Sequence, residues 1–409
     1  MMTTTDEHTV TILDQGHVTS PKGFKAGGVH CGLRKTKLDF GWIHSDKPAN
    51  AAGVYTLNSF KAAPLHVTKA AIDSNGKIQT IITNSAVANS CTGPEGEENA
   101  KLMQRLAAEE MQVNLQDVAV LSTGVIGVQL PMTEIKQGIQ SMTHSENYGA
   151  ERFEQAILTT DTVTKHTAVT CMIDGQKITI GGAAKGSGMI HPNMATMLAY
   201  MTTDANVEQQ ALQHVLSDVT NDTYNMITVD GDSSTNDTVL FLANGEQPNQ
   251  KLTLEHPEWP VFKEAVKTVA ETLAKKIAQD GEGATKLVAV HVQNAASKSS
   301  ARKVAKAVIS SNLVKTAVYG ADPNWGRIVC AVGYSEEPVN PDIVEVKLGP
   351  TTVVSDGLPV AFDESKSKAY LSNEQIDIYV NLNQGTADAC AWGCDLTYQY
   401  VKINASYRT

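Results

Sequence analysis

The sequence predicts an α/β protein in which helices cover a mixed β-sheet. Along the 409 residues, segments rich in β-branched residues alternate with segments whose apolar residues recur at helical spacing. One pair of β-rich segments also has a hairpin pattern, so at least part of the sheet is expected to be antiparallel. Layers of helix on sheet bury such a mixture, and antiparallel strands argue against a purely doubly wound sheet.

The first part of the chain alternates strands and helices. The β-rich segment 77–83 precedes segment 97–111, where apolar residues recur every four positions. Segment 118–121 is an apolar strand that ends in Ser-Thr-Gly at 122–124, and a helix with one apolar face follows Pro131. Because polar residues come where this strand ends, the end of the strand is a candidate site.

The strongest hairpin signal lies in the middle of the chain. Two β-rich segments, 166–173 and 176–180, are separated only by Asp174 and Gly175. These two residue types tolerate the positive φ angles of a tight two-residue turn. The sequence therefore predicts an antiparallel pair here.

The second part of the chain repeats the alternation. Its expected elements are helices over 207–219, 261–277 and 301–309, a strand over 286–292, and late strands near 343–348 and 376–382. The length exceeds the roughly 100–200 residues of one domain. We therefore predict a catalytic domain over 1–285 and a smaller C-terminal α/β domain over 286–409.

Charge and composition restrict the partners. A formal net charge of -11 disfavours nucleic acid and anionic membranes, since both reward clustered Lys and Arg. No apolar run approaches the roughly 18 residues of a transmembrane helix, and the N-terminus shows no secretory leader pattern. We expect a cytoplasmic protein that acts on small molecules.

No metal site is expected from the sequence. The six cysteines are scattered except for Cys390 and Cys394, which are more typical of buried reduced thiols than of a redox or metal pair. The acidic run 230–238 lacks the spacing of a calcium loop. It is interpreted as a turn whose Asp, Ser and Asn side chains bond nearby backbone groups.

The densest chemistry lies in segment 181–200, which contains four glycines within its first eight residues. Such a loop permits backbone angles that a side chain would forbid. Lys185 suggests phosphate binding, but the order Lys-Gly-Ser-Gly differs from the Walker arrangement. The alternative is a surface turn leading into a strand at Thr196.

Thr196 follows the small residue Ala195 and precedes a strand-like segment. A threonine hydroxyl can attack a strained preceding peptide bond, and hydrolysis of the resulting ester releases a chain that begins with that threonine. The new α-amine, whose unperturbed pKa is about 7.7–8.0, can then accept the hydroxyl proton. Such a nucleophile needs no histidine triad.

Several long motifs, in order along nearly the whole chain, resemble the ornithine acetyltransferase family, also called glutamate N-acetyltransferase, of arginine biosynthesis. They are Ser-Thr-Gly-Val-Ile-Gly at 122–127, Thr-Thr-Asp-Thr at 159–162, Lys-Gly-Ser-Gly-Met-Ile-His-Pro-Asn-Met-Ala-Thr-Met-Leu at 185–198, Gly-Asp-Ser-Ser-Thr-Asn-Asp-Thr at 231–238, Gly-Glu-Gly-Ala-Thr-Lys at 281–286, Tyr-Gly-Ala-Asp-Pro-Asn-Trp-Gly-Arg at 319–327 and Val-Lys-Ile-Asn-Ala-Ser-Tyr-Arg-Thr at 401–409. One departure is Ala86-Val87, where many members have Gly-Asn.

The resemblance implies residue roles. Thr196 would be the nucleophile, released by cleavage between Ala195 and Thr196, and Thr123 and Gly124 would form the oxyanion hole. The implied substrate contacts are Thr159, Lys185, Thr196, Glu282, Asn404 and Thr409. Taken alone, Glu282 is more typical of a solvated loop, and Asn404 and Thr409 are more typical of a frayed terminus. His191 and Trp325 are interpreted as structural.

The resemblance also implies a layered αββα sandwich of the N-terminal-nucleophile type and a ping-pong transfer of acetyl from N2-acetyl-L-ornithine to L-glutamate, without a cofactor. Family members differ in whether acetyl-CoA is a second donor. Self-cleavage would give chains 1–195 and 196–409, which the family assembles as heterotetramers. The alternatives are an amidase or aminopeptidase with water as acceptor, and a non-catalytic anion-binding protein.

Overall fold

The computed structural model describes residues 9–191 and 197–406. Its strands are β1 (Thr11–Ile12), β2 (Phe24–Val29), β3 (Phe40–Tyr55), β4 (Lys77–Asn84), β5 (Val118–Ser122), β6 (Lys165–Ile173), β7 (Gln176–Lys185), β8 (Leu198–Thr203), β9 (Ile227–Thr228), β10 (Thr238–Ala243), β11 (Leu287–Ala295), β12 (Glu345–Leu348), β13 (Thr351–Ser355), β14 (Leu358–Pro359), β15 (Gln375–Asn381) and β16 (Ala387–Cys394). Its helices are α1 (Ala63–Asn75), α2 (Gly93–Met111), α3 (Met132–Gln140), α4 (Ala150–Ala156), α5 (Gln209–Asp222), α6 (Trp259–Gln279), α7 (Lys298–Ser310), α8 (Asn312–Tyr319), α9 (Trp325–Gly333), α10 (Glu364–Leu371) and α11 (Tyr398–Asn404).

The chain divides into two compact units. Among the described residues, the first contains 9–186, 197–221 and 233–273, and the second contains 187–191, 222–232 and 274–406. The second unit therefore contains all the described part of the predicted C-terminal domain, together with residues 274–285 and two short segments of the predicted catalytic domain.

The first unit is built on one mixed sheet. Its strand order is β1-β6-β7-β8-β10-β3-β4-β5, with β2 paired to β3, and the β8–β10 and β4–β5 pairs are parallel. The predicted hairpin is confirmed: β6 and β7 pair antiparallel from Ile173 and Gln176 onward, and Asp174 and Gly175 both have positive φ.

Two apolar clusters stabilise this unit. One centres on Phe153 and Tyr200, whose rings meet edge to face at 5.0 Å, and includes side chains of β3, β4, β8 and β10. The other gathers Phe40, Trp42 and the apolar faces of α2 and α3. Helices therefore bury their apolar stripes on the sheet, as the helical spacing predicts.

The second unit has its own mixed sheet, in the order β14-β13-β12-β15-β11-β16-β9. The β11–β15 and β16–β9 pairs are parallel and the other pairs antiparallel. Helix α7 packs on β11 and β16 with a buried face that includes Val304 and Val308. The predicted α/β class is thus confirmed, with two mixed sheets covered by helices.

The glycines of segment 181–188 play different parts from the single loop role predicted for them. Gly181 and Gly182 lie inside β7, where an added Cβ would meet the His17 carbonyl at 2.3 Å and Leu273 at 2.8 Å. Gly186 and Gly188 follow β7 in the loop. Gly186 has φ +154, and a Cβ at Gly188 would lie 2.3 Å from the Glu282 carboxyl carbon. Close packing, rather than turn geometry, therefore explains three of the four.

Within residues 9–191 and 197–406, no helix combines the length and apolar character needed to cross a bilayer.

Candidate functional site

The end of β5 is held in a fixed shape. The Thr123 N–H donates to the Asn84 carbonyl at 3.0 Å, and the Ser122 hydroxyl donates to the Asn84 side chain at 2.5 Å. Gly124 has φ +133, a region that side chains rarely adopt, and a Cβ there would lie 2.1 Å from the Ala86 carbonyl carbon. Both predicted oxyanion-hole residues therefore belong to a rigid strand end rather than a mobile turn.

A prediction about stability and activity follows from two nearby glycines. Gly124 and Gly127 both have positive φ, but only the added Cβ at Gly124 meets backbone; nothing lies within 4 Å at Gly127. We expect Gly124→Ala to lower the free energy of unfolding by about 3 kcal/mol and to misplace its N–H, and Gly127→Ala to cost about 1 kcal/mol. Urea denaturation and activity assays of both variants check this; equal losses would contradict it.

Lys185, at the end of β7, lies beside this strand end. Its ammonium is 3.4 Å from the Thr123 hydroxyl oxygen, and the residue is only 7% exposed. An ammonium can only donate, so the Thr123 oxygen accepts in this contact and its own hydrogen is left to donate elsewhere. The structure thus brings together Thr123, Gly124 and Lys185, all predicted site residues, within the first unit.

The buried Asp161 organises the same region. One of its oxygens accepts hydrogen bonds at 2.7 Å from both Lys165 and the Gly186 N–H, and the other accepts from the Thr159 N–H at 3.0 Å. Burial alone would raise its pKa, but the positive charges of Lys185 and Lys165 hold it well below the usual range. An ionised Asp161 therefore fixes the backbone at Thr159, a predicted substrate contact, and at Gly186, the neighbour of Lys185.

Asp161 and Lys165 were not singled out from the sequence as site residues. The only available signal was that Asp161 falls inside the motif at 159–162. A second unpredicted neighbour is Asp237: it is fully buried, its pKa is raised well above 3.8 by desolvation, and Lys185 acts against that rise. The site region thus combines Lys185 and Lys165 with two buried carboxyl groups whose pKa values are shifted in opposite directions.

The run 230–238 contains the expected local bonds, from the Asp232 N–H to Asp230 and from the Asn236 N–H to Ser234, and also bonds distant backbone groups. In the second unit, the Asp230 carboxylate accepts from the N–H groups of Met189 and Ile190 at 2.7 and 2.9 Å. In the first unit, the Asn236 amide donates to the carbonyls of Ala88 and Ser122. These side chains therefore hold backbone segments of each unit in place.

Glu282 and Asn404 meet in the second unit. The Asn404 amide donates to a Glu282 oxygen at 2.7 Å, and the Glu282 N–H donates to the Ser187 carbonyl at 2.9 Å. Thr397 caps the N-terminus of α11: its side chain accepts from the Gln399 and Tyr400 N–H groups, and its hydroxyl donates to the Gly283 carbonyl at 2.7 Å. Asn404 therefore ends an ordered helix, and Glu282 is a buried, bonded carboxylate instead of a solvated loop residue.

His191 and Arg327 have structural contacts. His191 Nδ1 lies 3.0 Å from the Thr228 hydroxyl, and Arg327 donates to the Leu313 carbonyl at 2.7 Å. Burial, assisted by the charge of Lys306, lowers the pKa of His191 to about 4, and burial lowers the pKa of Lys306 to about 7. The contact of His191 with Thr228 and its lowered pKa both fit the interpretation of His191 as a structural residue.

The depressed pKa of His191 predicts a pH effect. Because the folded pKa of about 4 is below the ordinary 6.5, the unfolded chain binds the proton first, so stability is lost as pH falls from about 6.5 towards 4. We expect His191→Gln to lose less stability over this window than the parent, in denaturation curves measured at several pH values. The exposed His144→Gln serves as the control; parallel parent and His191→Gln profiles would contradict the assignment.

Three predicted positions cannot be placed. Ala195, Thr196 and Thr409 lie outside the described residues. Immediately after Thr196, however, Met197 is buried and its carbonyl accepts from the Thr238 N–H at 2.9 Å. Strand β8 follows, paired to β7 on one side and β10 on the other. The chain that follows position 196 is therefore held between two paired strands of the first unit's sheet.

Comparison with known proteins covers nearly the whole chain. The ArgJ family model matches residues 25–409. The arginine biosynthesis bifunctional protein ArgJ of Oceanobacillus iheyensis is 58% identical over 408 residues, 100% of both chains, and that of Geobacillus kaustophilus is 53% identical over 98% of both. A crystal structure of the Bacillus halodurans protein of that name matches with a TM-score of 0.51 and 51% identity, over 52% of this chain and 100% of that chain. The chain belongs to the ArgJ family.

Proposed function

We propose that this protein transfers the acetyl group of N2-acetyl-L-ornithine to L-glutamate through an acetyl ester on Thr196. The observation that carries the proposal is the end-to-end similarity to bifunctional arginine-biosynthesis relatives. The site chemistry supports it, because Thr123 and Gly124 supply a hydroxyl and an N–H at a rigid strand end. Donors of this type stabilise the oxyanion of acyl transfer.

In the proposed first half-reaction, the Thr196 hydroxyl attacks the acetyl carbonyl and its α-amine takes up the proton. The tetrahedral oxyanion accepts hydrogen bonds from Thr123 and Gly124, and ornithine leaves with the returned proton. In the second half-reaction the neutral glutamate amine attacks the ester carbonyl, the bond from that carbon to the Thr196 oxygen breaks, and N-acetylglutamate leaves. The proton lost by the amine passes through the Thr196 α-amine to the Thr196 oxygen, which restores the hydroxyl. No cofactor or metal ion takes part in either step.

Charge complementarity supports amino-acid substrates. N2-acetyl-L-ornithine carries a carboxylate and an ammonium, and the substrate contacts implied by the family resemblance include a lysine, Lys185, and a glutamate, Glu282, each buried in its own unit. Thr159 and Thr409 would supply hydroxyl groups, and Asn404 would supply an amide. We assign all five to substrate binding on the family resemblance, together with Thr196.

Self-cleavage between Ala195 and Thr196 is part of the proposal. The matched Bacillus halodurans chain is covered completely yet corresponds to a little more than half of this chain, as segment 196–409 would. Cleavage would leave β7 on the first product and β8 and β10 on the second, and β7 pairs with β8 from Ile180 to Lys185. A shared sheet would hold chains 1–195 and 196–409 together, and we propose that two such pairs form a cytoplasmic heterotetramer.

The test separates transfer from hydrolysis. Purified protein is incubated with N2-acetyl-L-ornithine, with and without L-glutamate, and free ornithine is quantified. Glutamate-dependent ornithine release, with equimolar N-acetylglutamate, is expected. Equal release without glutamate would identify the amidase alternative. Replacing the donor with acetyl-CoA establishes whether this chain accepts both donors.

A further inference from the structure

A cluster of two histidines and one glutamate lies in the first unit, built from residues that have no role in the proposed transfer. His17 Nδ1 is 2.8 Å from one oxygen of Glu154, and His166 Nδ1 is 2.5 Å from the other. The two imidazole rings are 4.3 Å apart and meet edge to face. One ligand atom from each residue lies within 4.8 Å of the other two.

Three separate elements build this cluster. His166 is on β6, Glu154 is on α4, and His17 lies in the segment between β1 and β2. Two glycines allow the close approach: an added Cβ would lie 2.4 Å from the Ala168 N atom at Gly16, and 2.3 Å from the His17 carbonyl oxygen at Gly181. The backbone around His17 is therefore fitted to the surface of the β6–β7 hairpin.

The burial of the three side chains favours a cation between them. Glu154 is only 1% exposed, whereas the side chains of His17 and His166 are 21% and 30% exposed. The carboxylate thus lies beneath two imidazoles that reach the surface. Bringing a carboxylate out of water is costly unless it is paired, and the open side gives an ion a path of entry.

The ligand set and dimensions match a borderline transition metal. Two imidazole nitrogens and one carboxylate oxygen form the three-ligand set that zinc accepts together with a water molecule. Bonds of about 2.0–2.2 Å to a tetrahedral ion place ligand atoms about 3.4 Å apart. The two histidine–glutamate separations, 2.8 and 2.5 Å, are shorter than that spacing, so rotation of the imidazoles away from the carboxylate would open the space that an ion needs.

We propose that His17, Glu154 and His166 bind one divalent transition-metal ion of the Zn²⁺ class. The ion would join the segment before β2, helix α4 and strand β6, which are distant in sequence. The three ligands come together only in the folded chain. The ion would therefore bind the folded state and not the unfolded one, and so stabilise the first unit. It takes no part in acetyl transfer.

The test uses Zn²⁺ and Co²⁺ alone. The parent protein is stripped with a chelator and titrated with Zn²⁺ by calorimetry. The midpoint temperatures of thermal denaturation are then compared between the stripped and the Zn²⁺-loaded protein. One equivalent should bind and raise the midpoint temperature. We expect His17→Gln and His166→Gln each to weaken Zn²⁺ binding by at least about tenfold. Losing a residue that supports a ligand already lowers metal affinity by about that factor, and losing the ligand itself should lower it more.

A matched control is His66→Gln. His66 forms an exposed pair with Glu97 at 2.6 Å but has a single imidazole, so this variant should bind Zn²⁺ as the parent does. Co²⁺-loaded parent protein provides a measurement that does not depend on a variant folding: visible bands of a tetrahedral N/O site support the proposal. Absence of saturable binding, a thiolate charge-transfer band, or equal affinities in all variants would overturn it.

Discussion

Thr196→Ala is expected to remain a single intact chain and to lose acetyl transfer by at least ~10³-fold, because the same hydroxyl attacks the preceding peptide bond and carries the acetyl group. Denaturing mass spectrometry with N-terminal sequencing should find two chains in the parent protein, one beginning at Thr196, and one chain in the variant. Under native conditions the parent's two chains should elute together, because the β7–β8 pairing spans the cut.

Thr196→Ser is the matched control for this prediction. Serine keeps a β-hydroxyl, so the variant should still be processed and retain part of the activity. Incubation with N2-acetyl-L-ornithine alone should add the mass of one acetyl group to the chain beginning at residue 196. If the alanine variant is processed at the parent's rate, Thr196 is not the residue that cleaves the chain.

Local signals explain which strands the sequence predicts. The β6–β7 hairpin is found because Asp174 and Gly175 specify a tight turn within two residues. Strand β3 is missed because Asp46, Lys47 and Pro48 are typical of a loop, yet the strand continues past them with a register shift between His44 and Ala49. This irregular strand is stabilised by β2 and β4, its neighbours along the chain, and by β10 from the second half of the sequence.

The site residues likewise fall into two groups: those that a local sequence signal predicts and those that only the fold brings together. The strand end at Thr123 and Gly124 is predictable because an apolar run stops there. Asp161 is not predictable as the partner of both Lys165 and Lys185, because these lysines begin β6 and end β7 and come together at the open end of the hairpin only when the strands pair. The cluster of His17, Glu154 and His166 has no regular spacing at all, so only the fold reveals it.

Thr123→Ala is expected to lower kcat by about 10²–10³-fold, equivalent to about 2.7–4 kcal/mol of transition-state stabilisation. Its hydroxyl oxygen accepts from Lys185 at 3.4 Å, which leaves the hydroxyl hydrogen free to turn towards a developing oxyanion. The hydrogen bond strengthens as the carbonyl oxygen becomes negative, so the effect should fall on kcat more than on KM. Steady-state kinetics with N2-acetyl-L-ornithine and L-glutamate measure both parameters.

Thr123→Ser distinguishes the hydroxyl from the methyl group of this residue. The backbone contact of position 123, from its N–H to the Asn84 carbonyl, is independent of the side chain, so both variants should keep the strand end in place. Serine should then restore most of the kcat that alanine loses, with similar urea midpoints for the two. A serine variant as slow as the alanine variant would mean that the methyl packing, and not a hydrogen bond to the oxyanion, is what acetyl transfer requires of residue 123.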